Sequence, residues 1–148
     1  MAALSGQLGY ASTRAEILER LRPIGTHSDH AVLVVEDNDA VHGWIHVFGS
    51  LRIEADPFAE IGGLVVAAGQ RSRGLGAALV AAAEAWAIEH GYRSMRVRSN
   101  IVRTRARGFY ERHGYTSTKQ SFVFTKSLAA SARPAAPPPG LGTDDTGQ

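Results

Sequence analysis

The stretch Gly69–Val80, GQRSRGLGAALV, sets Arg71 and Arg73 beside two close glycines, Gly74 and Gly76, where the apolar run IGGLVV passes into an alanine-rich segment. At the first turn of a helix the backbone N–H groups lack intrahelical partners and the helix dipole adds positive potential, so such a junction is a natural anion cradle. Glycines let an anion approach the backbone, and two guanidiniums supply charge and paired donors. The spacing predicts a phosphate-holding loop. It is not a nucleotide-triphosphatase P-loop, because no Gly-Lys-Ser/Thr follows, and Leu79 stands where a strict GxGxxG fingerprint needs its third glycine.

Other groups able to do chemistry are few. Glu54, Asp56 and Glu60 lie just before the loop, and His42 and His46, four apart, share a strand face with no third ligand evident, so no metal site is expected. Tyr110 lies in Gly108–Tyr115, GFYERHGY, where an aromatic beside Phe109 on an amphipathic helix would by itself read as core. Glu60 likewise reads as a solvated strand-end carboxylate, Asn100 as a loop cap, and Trp44 and Trp86 as core. Seven arginines between Arg93 and Arg112 read mainly as a solvated face. With no aromatic residues among them before Phe109 and Tyr110, a nucleic-acid partner is not expected.

The elements that position these groups follow from pattern. Thr13 to Glu16 has capping-box spacing, and Ile17, Leu18 and Leu21 share a helical face before Pro23. His30–Val35 and Val41–Phe48 read as a hairpin around Glu36 to Asp39, followed by a more polar segment near Leu51 to Phe58. Ala59–Val66 reads as a central strand with a bulge or close approach at Gly62-Gly63. Leu75, Leu79, Ala82 and Trp86 mark a helix that Gly91 ends. A short strand over Ser94–Arg98, a helix over Thr104–His113 closing at Gly114, and a last strand over Ser121–Lys126 complete the domain. From Ala129 the Ala, Pro, Gly and Ser content predicts a disordered tail, giving a domain over 1–128 and a tail over 129–148.

At 148 residues and 44% apolar content the chain suits one core. A net charge of +2 with an isoelectric point near 9.3 suits an anionic ligand. The absence of cysteine excludes disulfides, thiolate metal sites and a cysteine nucleophile. The first residues lack a signal-peptide pattern and no apolar run approaches the roughly 20 residues of a membrane helix, so a cytoplasmic protein without a membrane partner is expected.

Arg71 to Gly76 resembles the pyrophosphate loop, Gln/Arg-x-x-Gly-x-Gly/Ala, of the GNAT superfamily of acetyl-CoA-dependent N-acetyltransferases. Ile61 to Val66 before it, Ser99-Asn100 after the next strand, and Gly108–Tyr115, similar to the family's FYxxxGF/Y signature, agree in order and spacing. The resemblance implies an α+β fold: a twisted mixed sheet flanked by helices, with strands splaying apart after the bulged one to admit the pantetheine arm. It implies acetyl-CoA as cosubstrate, with Leu64, Val65 and Val66 contacting the arm and Asn100 opposite. Arg71, Ser72, Arg73, Gly74, Leu75, Gly76 and Ala77 would hold the pyrophosphate, and Tyr110 would face the thioester sulfur. Family members begin with a further strand and a full helix, whereas only nine residues precede Tyr10, so the first strand is expected to be absent.

The chemistry so implied has its own demands. A primary amine with pKa near 10.4 must lose a proton before attacking, which costs about 4 to 5 kcal/mol at pH 7. Glu60 resembles a position where some family members carry a glutamate base, with Glu54, Asp56, His42 and His46 as further candidates. Tyr110 would protonate the leaving thiolate. The acceptor, a small molecule or a peptide amine, stays open, since one scaffold serves many acceptors. Homodimers are ordinary in the family it resembles. A domain that binds acetyl-CoA or a partner without turnover is the alternative.

Overall fold

The computed structural model describes Leu4, Gly6 and residues 12–70, 73–100 and 103–128, which fall into two compact units, Met1–Thr116 and Ser117–Gln148. The expected missing strand near Gln7–Tyr10, the loop residues Arg71 and Ser72, and the expected disordered tail lie outside the described residues.

Helix α1, Arg14–Thr26, starts on the capping box: Thr13 Oγ1 accepts from the Glu16 N–H, and the Thr13 N–H donates to Glu16 Oε2 at 2.7 Å. It runs through Pro23 rather than stopping before it. Proline removes one N–H and crowds the preceding turn, but here only the last turn follows, where Thr26 Oγ1 donates to the Pro23 carbonyl.

Strands β1, His30–Asp37, and β2, Ala40–Arg52, form an antiparallel hairpin whose two turn residues, Asn38 and Asp39, both have positive φ, the geometry of a type I′ turn. β2 continues past its expected end into a second hairpin with β3, Ala55–Val66, so the segment read as polar connection contributes to both strands. Its exposed residues, Leu51, Ile53 and Glu54, mark a hairpin tip outside the core. Helix α2, Leu75–Glu89, crosses back so that β4, Met95–Val97, pairs parallel to β3, giving a four-stranded mixed sheet in the order β1-β2-β3-β4. Helix α3, Thr104–Arg112, follows.

The core lies between one sheet face and α2: Ile45, Val47, Ala59 and Ile61 meet Leu79, Val80, Ala83 and Ala87. Ala82, expected on the packed side, is exposed. An alanine-rich helix is apolar nearly all round, and periodicity then singles out no face. Both α2 and α3 end in Schellman motifs. Gly91 and Gly114 take positive φ while Tyr92 and Tyr115 donate back to the carbonyls of Ala87 and Tyr110.

In the second unit residues 117–128 form no ladder, so the strand expected over Ser121–Lys126 is not present. Phe122, Val123 and Phe124 are three consecutive apolar residues, all exposed, and such a run has no period-two face to direct a strand.

Candidate functional site

The site begins at a bulge. His46 pairs with Gly63 and Val47 with Ile61, which leaves Gly62 as the extra residue of β3. The bulge shifts the side-chain phase by one, so that Ile61, Leu64 and Val66 all reach the α2 face. It also marks where the sheet opens. The β3–β4 ladder ends at Ile61↔Val97, and beyond it a cleft of about 250 Å³ separates Ile61, Gly62, Gly63 and Leu64 from Val97, Arg98, Ser99 and Asn100. Arg103, Ala106 and Tyr110 form its remaining wall. Leu64 and Asn100, both expected at the cofactor, thus face one cleft from opposite sides. Val65 and Val66 continue β3 beyond it, Val65 buried and Val66 packed against the α2 core.

At the end of β3 a 3-10 turn, Ala68–Gln70, leads to the N-terminus of α2. Its N-cap, Gly74, has φ +78° with open space where a side chain would stand, a conformation other residues adopt at a cost, and it offers no side-chain cap. The first-turn amides of Leu75, Gly76 and Ala77 therefore remain to meet an anion. Gly76 serves packing as well. A Cβ there would lie 3.3 Å from the Phe109 ring, so α3 rests on the first turn of α2 at this position. Phe109 adjoins Tyr110, and the loop and the cleft are in this way joined through one aromatic residue. Arg73 is exposed and donates to Gln70 Oε1.

Tyr110 is placed by the Schellman motif that follows it: its carbonyl takes the Tyr115 N–H, and the two rings meet edge to face at 5.5 Å. Burial pushes its phenol up to about 12. Tyr115 is pushed up further, by burial first and then by its hydrogen bond to Glu84 Oε1 at 2.9 Å.

The sheet face turned away from α2 is lined differently. Glu60 is the buried charged residue there, with Arg98 Nε 3.0 Å from Oε1 and Arg52 Nη2 3.5 Å from Oε2. Arg52 also lies 3.9 Å from Glu54, while Asp56 is exposed. Phe58, fully buried, has the Arg52 and Arg96 guanidiniums over its ring, at 5.2 and 3.7 Å from its centroid. Across the strands His30, His46 and Phe48 stack with centroids 5.2 to 5.4 Å apart, and His30 Nδ1 lies 3.1 Å from His46 Nε2. Burial, and then the neighbouring His30, lower the His46 imidazole from its usual value. Trp44 Nε1 is buried with no hydrogen-bond partner among the described residues. Among those residues no group of three His, Asp or Glu is placed to hold a metal, and no helix is long and apolar enough to cross a membrane.

The model of the acetyltransferase (GNAT) family matches residues 7–115. The chain belongs to this family. No curated protein matches it, but solved structures share the fold. The aminoglycoside acetyltransferase AAC(6')-Iy in complex with a CoA bisubstrate analogue superposes with a TM-score of 0.75 at 19% identity, covering 86% of this chain and 89% of that one. A GNAT family acetyltransferase from Staphylococcus aureus gives 0.69 at 23% identity, with 86% of each chain covered. Aminoglycoside 6'-N-acetyltransferase AAC(6')-IG from Acinetobacter haemolyticus gives 0.71 at 14%, covering 81% and 86%. The mixed sheet of four strands with three helices among the described residues is the GNAT fold.

Pattern reading missed the partners of the candidate site residues more than the residues themselves. Arg52 and Arg98, which hold Glu60, carry no signal in a single sequence, because the ion pairs join residues 8 and 38 apart along the chain. His30 also passed unnoticed. Its alternation with Val32 and Val34 does place it on one strand face, but regular pairing from the turn would put it opposite Val47; the register shift between Val35 and Glu36 is what sets Val32 opposite His46 and His30 opposite Phe48, on the same face as His46.

Proposed function

We propose that this GNAT domain is an acetyl-CoA-dependent N-acetyltransferase that moves the acetyl group to a primary amine by direct attack in a ternary complex. The observation that carries the reading is the cleft opened by the Gly62 bulge, with Asn100 and Tyr110 in its walls and the α2 N-terminus beyond Phe109. The pantetheine arm of acetyl-CoA would lie along Leu64 to Val66, opposite Asn100. The pyrophosphate would meet the amides of Leu75, Gly76 and Ala77 below Gly74, together with Arg71, Ser72 and Arg73. Held so, amine and thioester react as one assembled unit, and this positioning contributes as much as any proton transfer.

Tyr110 would lie at the sulfur as a hydrogen-bond donor. Glu60, expected from the family as a base, has both oxygens at guanidiniums, and Glu54 also faces Arg52, so these carboxylates support a cationic acceptor less than their sequence does. The structural relatives that bind aminoglycosides support a small-molecule amine as the acceptor class. A cytoplasmic location, with its pool of acetyl-CoA, goes with this reading.

The test is thermal unfolding with and without acetyl-CoA, followed by thiol release with a panel of primary amines. A ligand at 100 times its dissociation constant adds about 2.7 kcal/mol of stability. A shift with turnover supports the enzyme. A shift without turnover on any amine supports the non-catalytic acetyl-CoA-binding domain in its place.

A further inference from the structure

We infer that His46, with His30 behind it, is the base that takes the proton from the acceptor amine, in place of Glu60; the inference rests on the proposed transferase reaction. Three observations on the sheet face carry it. First, Glu60 is engaged at both oxygens, by Arg98 and Arg52, which leaves it little capacity to accept a proton without breaking an ion pair. Second, His46 stands opposite Gly63 at the bulge, where the sheet opens into the cleft. A Cβ on Gly62 would lie 2.9 Å from His46 Nδ1, so the missing side chain at 62, an exposed residue of the cleft wall, keeps that nitrogen clear. Third, the other ring nitrogen is already committed: His46 Nε2 lies 3.1 Å from His30 Nδ1. With the proton of neutral His46 on Nε2 and donated to His30, Nδ1 is left as the acceptor, on the side of the Gly62 bulge.

The electrostatic surroundings agree. His30 from β1 faces His46, and His27, before β1, stacks on His30 at 5.6 Å. On β3 the same face carries Glu60, already held by its two arginines. Burial and His30 both disfavour a charged His46, so the ring is neutral and able to accept near pH 7.

The step balances. The acceptor reacts as the neutral amine, its ammonium having lost one proton to solvent; as its lone pair forms the C–N bond to the acetyl carbon the nitrogen becomes cationic and far more acidic and gives a second proton to His46 Nδ1, and the C–S bond breaks with its electron pair going to sulfur. That second proton then passes from His46 Nδ1, directly or through water, to the thiolate of CoA, which leaves as the thiol. His46 is back in its starting tautomer, because its Nε2 proton has stayed in the hydrogen bond to His30 Nδ1 throughout. His46 is thus the catalytic residue and His30 a positioning residue.

The experiment compares the pH profiles of kcat/KM for the wild type, His46→Gln, His30→Gln and Glu60→Gln. Spermidine, tyramine, glucosamine and kanamycin serve as probe amines, with the thermal shift by acetyl-CoA as the check that each variant keeps its cofactor site. In His46→Gln we expect kcat/KM at pH 7 to fall about 100-fold or more and the acidic limb of the profile to vanish. His30→Gln moves that limb to a different pH, which a merely structural role would not do, and Glu60→Gln leaves it in place. An acidic limb unchanged in His46→Gln, or one that vanishes in Glu60→Gln, overturns the inference. Should the wild type bind acetyl-CoA and turn over none of the four amines, the transferase reading itself falls. Turnover by the wild type with the limb unmoved in His46→Gln defeats only the assignment of the base.

Discussion

Replacing Tyr110 by Phe separates two roles that the family resemblance leaves merged, proton donor and hydrogen-bond donor. Burial raises the phenol to about 12, whereas a thiol titrates near 8.5. Full transfer of the proton to a departing thiolate is then uphill by roughly 3.5 pKa units, about 5 kcal/mol. A barrier of that size removes any advantage over releasing the thiolate as it is. The same burial strengthens a hydrogen bond from the phenol to developing charge on sulfur, and a bond to a charged group contributes about 1.5 to 3 kcal/mol. Tyr110→Phe should therefore lower kcat by roughly 10- to 150-fold and leave acetyl-CoA affinity within a few-fold, because the bond strengthens only as the C–S bond breaks. The assay is thiol release under saturating acetyl-CoA from pH 6 to 9, with affinity measured by thermal shift. A loss beyond roughly 10⁴-fold with removal of an alkaline limb would show a true general acid and refute the reasoning from burial. An unchanged kcat would show that sulfur does not sit at Tyr110.

Three other perturbations follow from the same geometry. Stability should depend on His46: its imidazole is lowered in the folded state, so the unfolded chain binds the proton first and stability is lost as pH falls below about 6.5, levelling off once the folded ring also titrates. Urea midpoints between pH 5 and 8 check this, and in His46→Gln the slope should flatten. Gly114→Ala forces a side chain into φ +84° and should cost about 1 kcal/mol while disturbing the carbonyl contact that orients Tyr110, so kcat should fall together with the melting temperature. Glu60→Gln takes from Arg98 and Arg52 the carboxylate they share, Arg52 keeping Glu54, and should destabilise by about 1 to 2 kcal/mol, short of the 3 to 5 of a wholly buried pair because both guanidiniums reach solvent; chemical denaturation reads the difference.

The parts of this fold that were legible in the sequence are those written in short-range chemistry. A capping box, a turn within Glu36 to Asp39, a glycine pair at a bulge, and glycines after two helices each act within a few residues, and each appears where the pattern puts it, the turn itself narrowing to Asn38-Asp39. Where local pattern was silent the reading failed: the alanine-rich α2 hid its packed face, and Ser121–Lys126 looked like a strand although nothing local supplies its ladder. The candidate site divides in the same way. Its loop and cleft walls are contiguous segments, whereas its electrostatics come from Arg52, Glu60 and Arg98, which meet only when β2 folds against β3 and β4 lies alongside. A carboxylate in the family's place for a base is thus no measure of basicity. The guanidiniums that surround it are chosen by strand register, and the same register that commits Glu60 to them stacks His30 on His46 beside the opening left by Gly62.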